Sequence, residues 1–397
     1  MGVFAKKASR VSAIGLVTLF GSVVSAEAGP DITFSADLRA RWEVGNADDG
    51  QRIGSAVTLR YRPTLDVEFS PRLSFLIEGE AIAALTPDSR NGVFAPFVRP
   101  GIADAETLEI NRVQAQYAPT ENLVVTAGRQ RVSLDDERFI GIVDFRQNQQ
   151  TYDAITASLT HPSGISAQGG YIWQVNRIFG PRLDNGIFDS ESFFVETSAP
   201  TPIGQISAYH FNLDLDDSVA APISSETTGL QLSGRRFFGD LGLFWKTGLA
   251  YQAESDADLF YAVADTRLNW RDLSASIRYE RLGSDDGIAF QTPLGTLHRF
   301  QGAVDVFLTT PDNGLEDLQI SGVWRIGSLG PLRATRLNLQ YNRFESATGS
   351  NRLGQEYGVE IAARLGANTF SAAFAAYEAD TFSVDTSRFW LTYARRF

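Results

Sequence analysis

Apolar and polar residues alternate along most of this chain, and that alternation limits the folds open to it. From Ile32, the stretch ITFSADLRARWE places an apolar residue at every second position, with hydroxyl or charged groups between them. From Val57, VTLRYRPTLDVEF repeats the pattern. Because side chains on a β-strand point alternately to its two faces, a period of two predicts strands with unlike faces. A soluble β-sandwich and a membrane β-barrel both satisfy it.

Three features favour the barrel. The polar face carries full charges in strand after strand, more than the solubility of a sheet requires. Aromatic residues fall near strand ends, where the interfacial girdles of a membrane barrel lie. The chain ends RFWLTYARRF, with Phe389, Leu391, Tyr393 and Phe397 on one face, which is similar to the signal recognised by the outer-membrane barrel-assembly machinery. We therefore predict an integral outer-membrane β-barrel of a Gram-negative cell, with the lipid bilayer and, through Phe397, the assembly machinery as partners.

The N-terminus has the form of a secretory signal. Basic residues at positions 6, 7 and 10 precede an apolar run over residues 11–24, and Ala26-Glu27-Ala28 has the small-x-small form of a cleavage site. An amphipathic helix is the alternative, but the run has no polar face. We predict cleavage after Ala26 or Ala28, which leaves residues 29–397 as a single barrel domain.

The spacing of the connections sets the number of strands. Short turns are predicted at residues 70–72, 119–122, 161–164, 200–204, 238–241, 269–272, 328–331 and 366–368. More variable loops alternate with them, near residues 44–52, 85–105, 134–149, 176–190, 214–225, 253–257, 283–315, 345–354 and 380–386. Eight turns and nine loops join eighteen strands. We predict an all-β, 18-stranded antiparallel transmembrane barrel with short periplasmic turns, long extracellular loops and both termini on the periplasmic side.

One segment alternates like a strand and yet does not fit this count. Residues 295–311, GTLHRFQGAVDVFLTTP, would make a nineteenth strand and would reverse the direction of every strand after it. Residues 283–315 are therefore predicted to be one long outer loop. Because it mixes apolar residues with His298, Arg299 and Asp305, we expect it to bend into the lumen as a constriction, with Arg299 and Asp305 bonded to wall residues of opposite charge.

Two segments resemble the alginate-export family of outer-membrane porins. They are GRQRVSLDDERFIGIVDFRQNQQTYDA, residues 128–154, and FQTPLGTLHRFQGAVDVFLTTPDNGLEDL, residues 290–318; the terminal TSRFWLTYARRF also fits. The resemblance implies a monomeric 18-stranded barrel with an arginine-lined pore, which passes a polyanionic uronate chain in the namesake member. Phe145 and Ala303 stand where the family pattern leads us to expect tryptophan. The resemblance therefore supports a selective porin better than it supports alginate as the solute.

Arginine dominates the basic residues, since lysine occurs only at Lys6, Lys7 and Lys246. The planar guanidinium group suits bidentate contact with carboxylates, although buried ion-pair networks use it equally well. Strand phase predicts that arginines line the pore at Arg39, Arg41, Arg60, Arg62, Arg278, Arg364 and Arg388. The resemblance adds Arg129, Arg138 and Arg146. Predicted lumenal carboxylates, Asp153 among them, would make the pore only weakly selective if each pairs with an arginine.

These observations predict a passive channel for an anionic oligo- or polysaccharide or an organic acid. A general diffusion porin with a weak anion preference is the alternative within transport, and an outer-membrane enzyme or adhesin acting through its outer loops is the alternative outside it. The three histidines assemble no catalytic or metal-binding motif, so we predict no enzymatic activity, no cofactor and no metal site. The acidic run at residues 135–137 could hold a divalent cation, but solvated loop charge is the favoured interpretation. A net charge of −12 argues against nucleic acid as a partner.

Overall fold

The computed structural model describes residues 29–50, 52–87, 99–183, 185–216, 224–254 and 257–397. The predicted signal peptide, residues 1–28, lies outside the described residues. No helical segment among the residues described is long and apolar enough to cross a membrane. Eighteen strands build the fold: β1 Asp31–Ala47, β2 Gly54–Ser70, β3 Leu73–Ala84, β4 Thr107–Thr120, β5 Leu123–Gln130, β6 Thr151–Thr160, β7 Ser166–Asn176, β8 Ile187–Thr201, β9 Gly204–Leu213, β10 Ser225–Phe238, β11 Leu241–Glu254, β12 Ala257–Trp270, β13 Leu273–Leu282, β14 Leu315–Leu329, β15 Leu332–Glu345, β16 Arg352–Leu365, β17 Asn368–Ala379 and β18 Thr386–Arg396.

The strands close into one antiparallel barrel. Each strand pairs with its neighbours in the sequence, and β1 also pairs with β18, from Asp37 opposite Arg396 to Ala47 opposite Thr386. The predicted 18-stranded antiparallel barrel is confirmed. The sequence predicts this barrel because alternation identifies each strand and determines which of its faces meets lipid. Large apolar side chains such as Leu108, Leu249 and Phe260 are exposed on the outside.

The segment that alternates like a strand is not part of the wall. Strand β13 ends at Leu282 and β14 begins at Leu315, directly opposite it, and the residues between form a loop. Within that loop, Leu297–Arg299 makes a short 3-10 turn. Further on, φ is positive at Gln301, Gly302 and Asp305, which interrupts any extended strand. The prediction that residues 283–315 form a loop is therefore confirmed, although residues 295–311 alternate like a strand.

Two outer loops fold into the barrel and pack against its inner wall and against other loop residues through aromatic side chains. From loop 131–150, Phe139 contacts Tyr209, Phe211, Tyr261 and Phe290, with ring centroids 5.3 to 6.1 Å apart. From loop 283–314, Phe307 contacts Phe344, Tyr377 and Phe382 at 4.5 to 5.7 Å. The extracellular half of the lumen therefore contains an apolar core. The strand pattern did not predict this core, because the inner face was expected to be polar throughout.

Candidate functional site: a constriction inside the barrel

Three loop segments meet inside the barrel, and together we call them the constriction: residues 99–106, 131–150 and 283–314. The two longer segments are joined directly, since Gly141 N–H donates to the carbonyl of Leu294 at 2.9 Å and Thr296 N–H donates to that of Glu137 at 2.9 Å. The first segment is held by the wall, because Arg388 of β18 donates to the carbonyl of Gly101 at 3.0 Å. Backbone pairing between loops gives the constriction a defined shape.

Glu43 of β1 is the buried carboxylate on which the constriction is centred. It accepts hydrogen bonds from Arg146 of loop 131–150 at 3.0 Å and from Arg388 at 2.9 Å. Arg146 also binds Asp305 of loop 283–314 at 2.7 Å, and Arg388 donates to the carbonyl of Val304 at 2.9 Å. One ionic network therefore ties both loops to the wall. Removing a single member would leave a buried charge without its partner, a change that costs about 3–5 kcal/mol.

Asp305 has several cationic neighbours. Burial disfavours its charged form, but His298, Arg146 and Arg388 outweigh burial and hold the pKa of this carboxyl below its usual range. His298 lies 2.7 Å from Asp305 and stacks on Phe145, with ring centroids 3.4 Å apart. Phe145 also has the guanidinium of Arg41 4.3 Å from its ring centre. Phe145, at the position where tryptophan was expected, therefore packs between His298 and Arg41 inside the constriction.

Arginines of β1 and β2 hold the tip of loop 131–150. Arg39 donates to Gln147 Oε1 at 2.8 Å and to the carbonyl of Asp144 at 2.9 Å. Arg60 donates to the carbonyl of Gln147 at 3.1 Å. Arg41 forms an ion pair with Asp104 at 3.4 Å, and Asp104 in turn accepts the Gln147 N–H at 2.8 Å. These guanidinium groups satisfy loop carbonyls that would otherwise be buried without partners.

A second buried carboxylate joins both loops to another part of the wall. Glu280 of β13 binds Arg138 at 3.0 Å and Arg278 at 2.8 Å, and it also accepts from Gln301. Arg138 donates to Thr292 Oγ1 at 2.6 Å as well. Loop 131–150 and loop 283–314 thus share this anchor.

The structure changes the role of the predicted arginine track. Arg39, Arg41, Arg60 and Arg62 do face inward, but loop 131–150 covers them, and they are buried with more than nine-tenths of their surface inaccessible. The same is true of Arg138, Arg146, Arg278 and Arg388. They are anchors of the constriction and do not line the open pore. Strand phase identifies which residues face inward, but it does not reveal that a loop covers them.

Arg129 and Asp153 were predicted to line the pore, and the structure places them on the outer face. They form an ion pair with each other at 2.7 Å across β5 and β6. Asp153 lies between Tyr152 and Ala154, both fully buried within the barrel, where the Tyr152 hydroxyl donates to the carbonyl of Gly141 at 2.7 Å. Because neighbouring residues on a strand face opposite sides, Asp153 and its partner point outward. The prediction failed because a matched motif does not report strand phase.

Arg364 lies outside the constriction. It is exposed near the periplasmic end of β16, and it shares the strand face of Glu356, whose carboxylate accepts the N–H of Ala303 at 2.5 Å. The residue therefore faces the lumen, as predicted, but well below the narrow region.

The predicted partners of Arg299 and Asp305 were also wrong. Arg299 donates to the carbonyl of Asp136 at 2.9 Å and lies 3.9 Å from Glu137, and Asp305 binds Arg146. Asp136, Glu137 and Arg146 belong to loop 131–150, and His298, the other partner of Asp305, belongs to the same loop as Asp305. The reason is that loop 131–150 also folds inward and lies between loop 283–314 and part of the wall.

Two arginines that the sequence pattern did not indicate remain open to the lumen beside the constriction. Arg112 and Arg131 bind Glu78 at 2.7 and 3.0 Å, and Arg62 lies 3.9 Å from the same carboxylate. The Arg131 side chain is 30% exposed. Arg112 escaped notice because the pairing of β3 with β4 shifts at a bulge beside it, and Arg131 because β5 ends at Gln130.

The three histidines have different surroundings and do not contact one another. His161 contacts Ser163 in an exposed turn, and His210 contacts Thr228 on adjacent strands. His298 is engaged with Asp305 and Phe145. In the described part of the chain, no group of three or more acidic, histidine or cysteine side chains could hold a metal ion.

Comparisons with known proteins agree with this architecture. A family model described as alginate export matches residues 31–257. No curated protein matches the sequence. Among solved structures, OccK9 (OpdG) of Pseudomonas aeruginosa is 15% identical with a TM-score of 0.71, and the match covers 92% of this chain and 99% of that one. The outer membrane protein opdK of the same organism is 12% identical with a TM-score of 0.70, covering 92% and 98%. OpdK solved with vanillate is 13% identical with a TM-score of 0.68, again covering 92% and 98%.

Proposed function

This chain belongs to the alginate export family and forms an outer-membrane porin barrel, and we propose that its pore passes carboxylated solutes in preference to cations. The solute class is a carboxylated oligo- or polysaccharide or an organic acid. A barrel of about eighteen strands encloses an aqueous lumen, so the constriction determines what passes. Solutes cross without chemical conversion, and the proposed channel works as a monomer.

The arginines around Glu78 carry this proposal. Three guanidinium groups converge on that carboxylate, and Arg112 and Arg131 line a cavity of about 250 Å³ beside the constriction. Burial lowers the pKa of Arg131 to about 10, and its neighbours Arg112 and Arg62 act in the same direction against Glu78. Since an arginine stays protonated at neutral pH, positive charge is in surplus at this point. A passing carboxylate relieves that surplus, whereas a cation adds to it.

Arg299 extends the basic surface to the constriction itself. Its side chain is 55% exposed, and its nearest carboxylate, Glu137, lies 3.9 Å away. The vanillate in the similar OpdK is an organic anion, which agrees with the proposed solute class. We propose that Arg112, Arg131 and Arg299 recognise the carboxylate. Because Phe145 already contacts His298 and Arg41, we assign no sugar-stacking role to its ring.

A general diffusion porin with a weak anion preference is the second candidate. Asp144 and Asp265 are also accessible from the lumen, so part of the positive field is offset locally. The selective channel and the general diffusion porin differ in how strongly replacement of Arg131 and Arg299 is expected to alter the permeation of anions.

Liposome swelling separates them. Proteoliposomes carrying the wild-type chain are expected to swell faster in glucuronate than in glucose, which is similar in size and uncharged. The variant Arg131→Gln/Arg299→Gln is expected to lose most of that difference, roughly fivefold in relative rate, because the open positive charge is removed. Arg271→Gln, in an exposed turn, is the matched control and should behave as the wild type. Equal wild-type rates for both solutes would contradict the proposal.

We also propose that β18 is read by the assembly machinery through Phe397. This residue directly follows β18, the strand that seals the barrel, and its N–H donates to the carbonyl of Ala36 in β1 at 2.9 Å. Its ring is exposed, with the guanidinium of Arg395 4.7 Å from the ring centre. The aromatic terminus is thus accessible at the seam of the barrel.

A further inference from the structure

A second basic surface lies on the periplasmic half of the lumen, away from the constriction. Arg235 of β10, Phe244 of β11 and Arg267 of β12 stand opposite one another on three adjacent strands, and we call them the Arg-Phe-Arg row. Their direction follows from Lys246, two residues along from Phe244, which binds Asp135 and Asp136 of the infolded loop 131–150. Residues two apart on a strand share a face, so the row points into the lumen.

The two arginines of this row have no acidic partner. Within the described part of the chain, neither guanidinium lies within ion-pair distance of a carboxylate, and both side chains are exposed. The nearby Asp265 lies 3.7 Å from Arg278, on the side of the constriction. Because most arginines of the constriction are paired with carboxylates, this surface differs from it in keeping its donors free for a ligand.

Aromatic rings lie beside these free donors. The guanidinium of Arg267 is 4.7 Å from the centre of the Phe244 ring, and Phe237 meets the same ring edge-on at 5.9 Å. On the outer face such rings would form part of an interfacial girdle, but here they face water. A guanidinium held over a ring keeps its N–H edge available for bidentate contact with a carboxylate. The two arginines are about 10 Å apart at the backbone, two inter-strand spacings, so their long side chains can converge on one ligand.

The row borders a cavity large enough for such a ligand. Its volume is about 670 Å³, and it is lined by all three residues of the row together with Lys246, Asp265 and Ser276. Residues of two periplasmic turns, Gly164 and Gly204, also border it, so it opens toward the periplasmic side. Pockets for small organic ligands have volumes of several hundred Å³.

We infer that the Arg-Phe-Arg row is a periplasmic-side binding site for small carboxylates attached to an aromatic ring. The arginines bind the carboxylate, and Phe244 and Phe237 contact the ring. This inference rests on the proposed passage of carboxylates and adds a second place where they pause. A solute leaving the constriction would bind here before it reaches the periplasm, and a solute travelling the other way would be concentrated here first.

Binding of benzoate to the purified, folded chain in detergent micelles tests the inference. Calorimetric titration is expected to give a Kd for benzoate at least about tenfold lower than that for acetate. Arg235→Gln/Arg267→Gln should weaken benzoate binding at least about tenfold, and Phe244→Leu about threefold, because each removes one element of recognition. Arg336→Gln is the matched control, since Arg336 also faces the lumen on this half of the barrel but has Glu360 at 3.6 Å. It should leave the Kd unchanged.

Several outcomes would overturn the inference. They are equal binding of acetate and benzoate, no effect of the double variant, or an equal effect of the control. Heat-modifiable migration shows that each variant retains a folded barrel. The anion preference of the wild-type channel, measured separately as a reversal potential, tests the proposed function. If the wild-type channel prefers anions but the double variant binds benzoate as tightly as the wild type, the inferred site is wrong and the proposed function stands.

Discussion

Deleting residues 296–309 is expected to raise single-channel conductance at least about twofold and to reduce discrimination between anions and cations, because the narrowest part of an aqueous pore limits its current. These residues include Phe300, Val304 and Phe307, all buried inside the barrel. Residues 283–295 and 310–314 would still connect Leu282 to Leu315, which lie opposite each other. The wall is therefore expected to fold, with heat-modifiable migration intact.

A length-matched variant separates the contacts of this loop from its bulk. Phe300→Ser/Val304→Ser/Phe307→Ser keeps the chain length but removes three large side chains that are buried inside the barrel, so we expect a smaller rise in conductance accompanied by current noise. A deletion that leaves the conductance unchanged would show that the loop caps the barrel without narrowing it. Loss of folding on deletion would show that the segment belongs to the wall.

Replacing Arg146 with methionine is expected to release the constriction while the barrel remains intact. Arg146 is buried and bridges Glu43 and Asp305, which belong to the wall and to the other infolded loop. Without it, both carboxylates lose a charged partner, and the docked state should lose about 3–5 kcal/mol. That shift is equivalent to a change of about two to four orders of magnitude in the docking equilibrium. The expected readouts are frequent current fluctuations and faster proteolysis within loop 131–150.

Arg271→Met provides the control for this prediction. Arg271 pairs with Asp240 at 3.3 Å, but both side chains are about two-thirds exposed. Exposed pairs contribute about 0–1 kcal/mol, so neither noise nor proteolysis should change. An Arg146 variant that is as quiet and as resistant as this control would contradict the anchoring role of the network at Glu43.

The barrel could be predicted from the sequence because it depends on patterns within each strand and on pairing between strands that follow one another in the chain. Alternation identifies the strands, short turns mark one rim, and the parity of the connections excludes residues 295–311 from the wall. These rules hold because each strand pairs only with its neighbours, as β13 does with β14 across the long loop.

The site could be predicted only in part, because it depends on contacts far apart in the sequence. Alternation identified Arg39 and Arg60 as inward-facing, but no local pattern shows that Gln147, which lies 108 and 87 residues away from them in the sequence, covers both. The inward fold of loop 131–150 depends on Phe139 finding an apolar wall formed by β9 and β12. That wall lies on the inner face, where alternation predicts polar residues.

The burial of most lumen-facing arginines changes which residues are expected to determine selectivity. Arginines that are buried in ion pairs, such as Arg62 with Glu80 and Arg138 with Glu280, have almost no side-chain surface open to the solute path. The open groups, Arg131 and Arg299, keep a field that reaches the solute path. Exchange of a buried arginine should therefore alter gating and stability, whereas exchange of an open one should alter selectivity.

The reversal potential of the wild-type channel in a steep KCl gradient tests the central claim most directly. A planar bilayer with one inserted channel is sufficient, and low ionic strength on both sides limits screening of the lumenal charges. We predict a potential displaced toward the chloride equilibrium value, because positive charge is in surplus at Arg112, Arg131 and Arg299. A potential displaced toward the potassium value would contradict it and would assign control of the pore to its carboxylates.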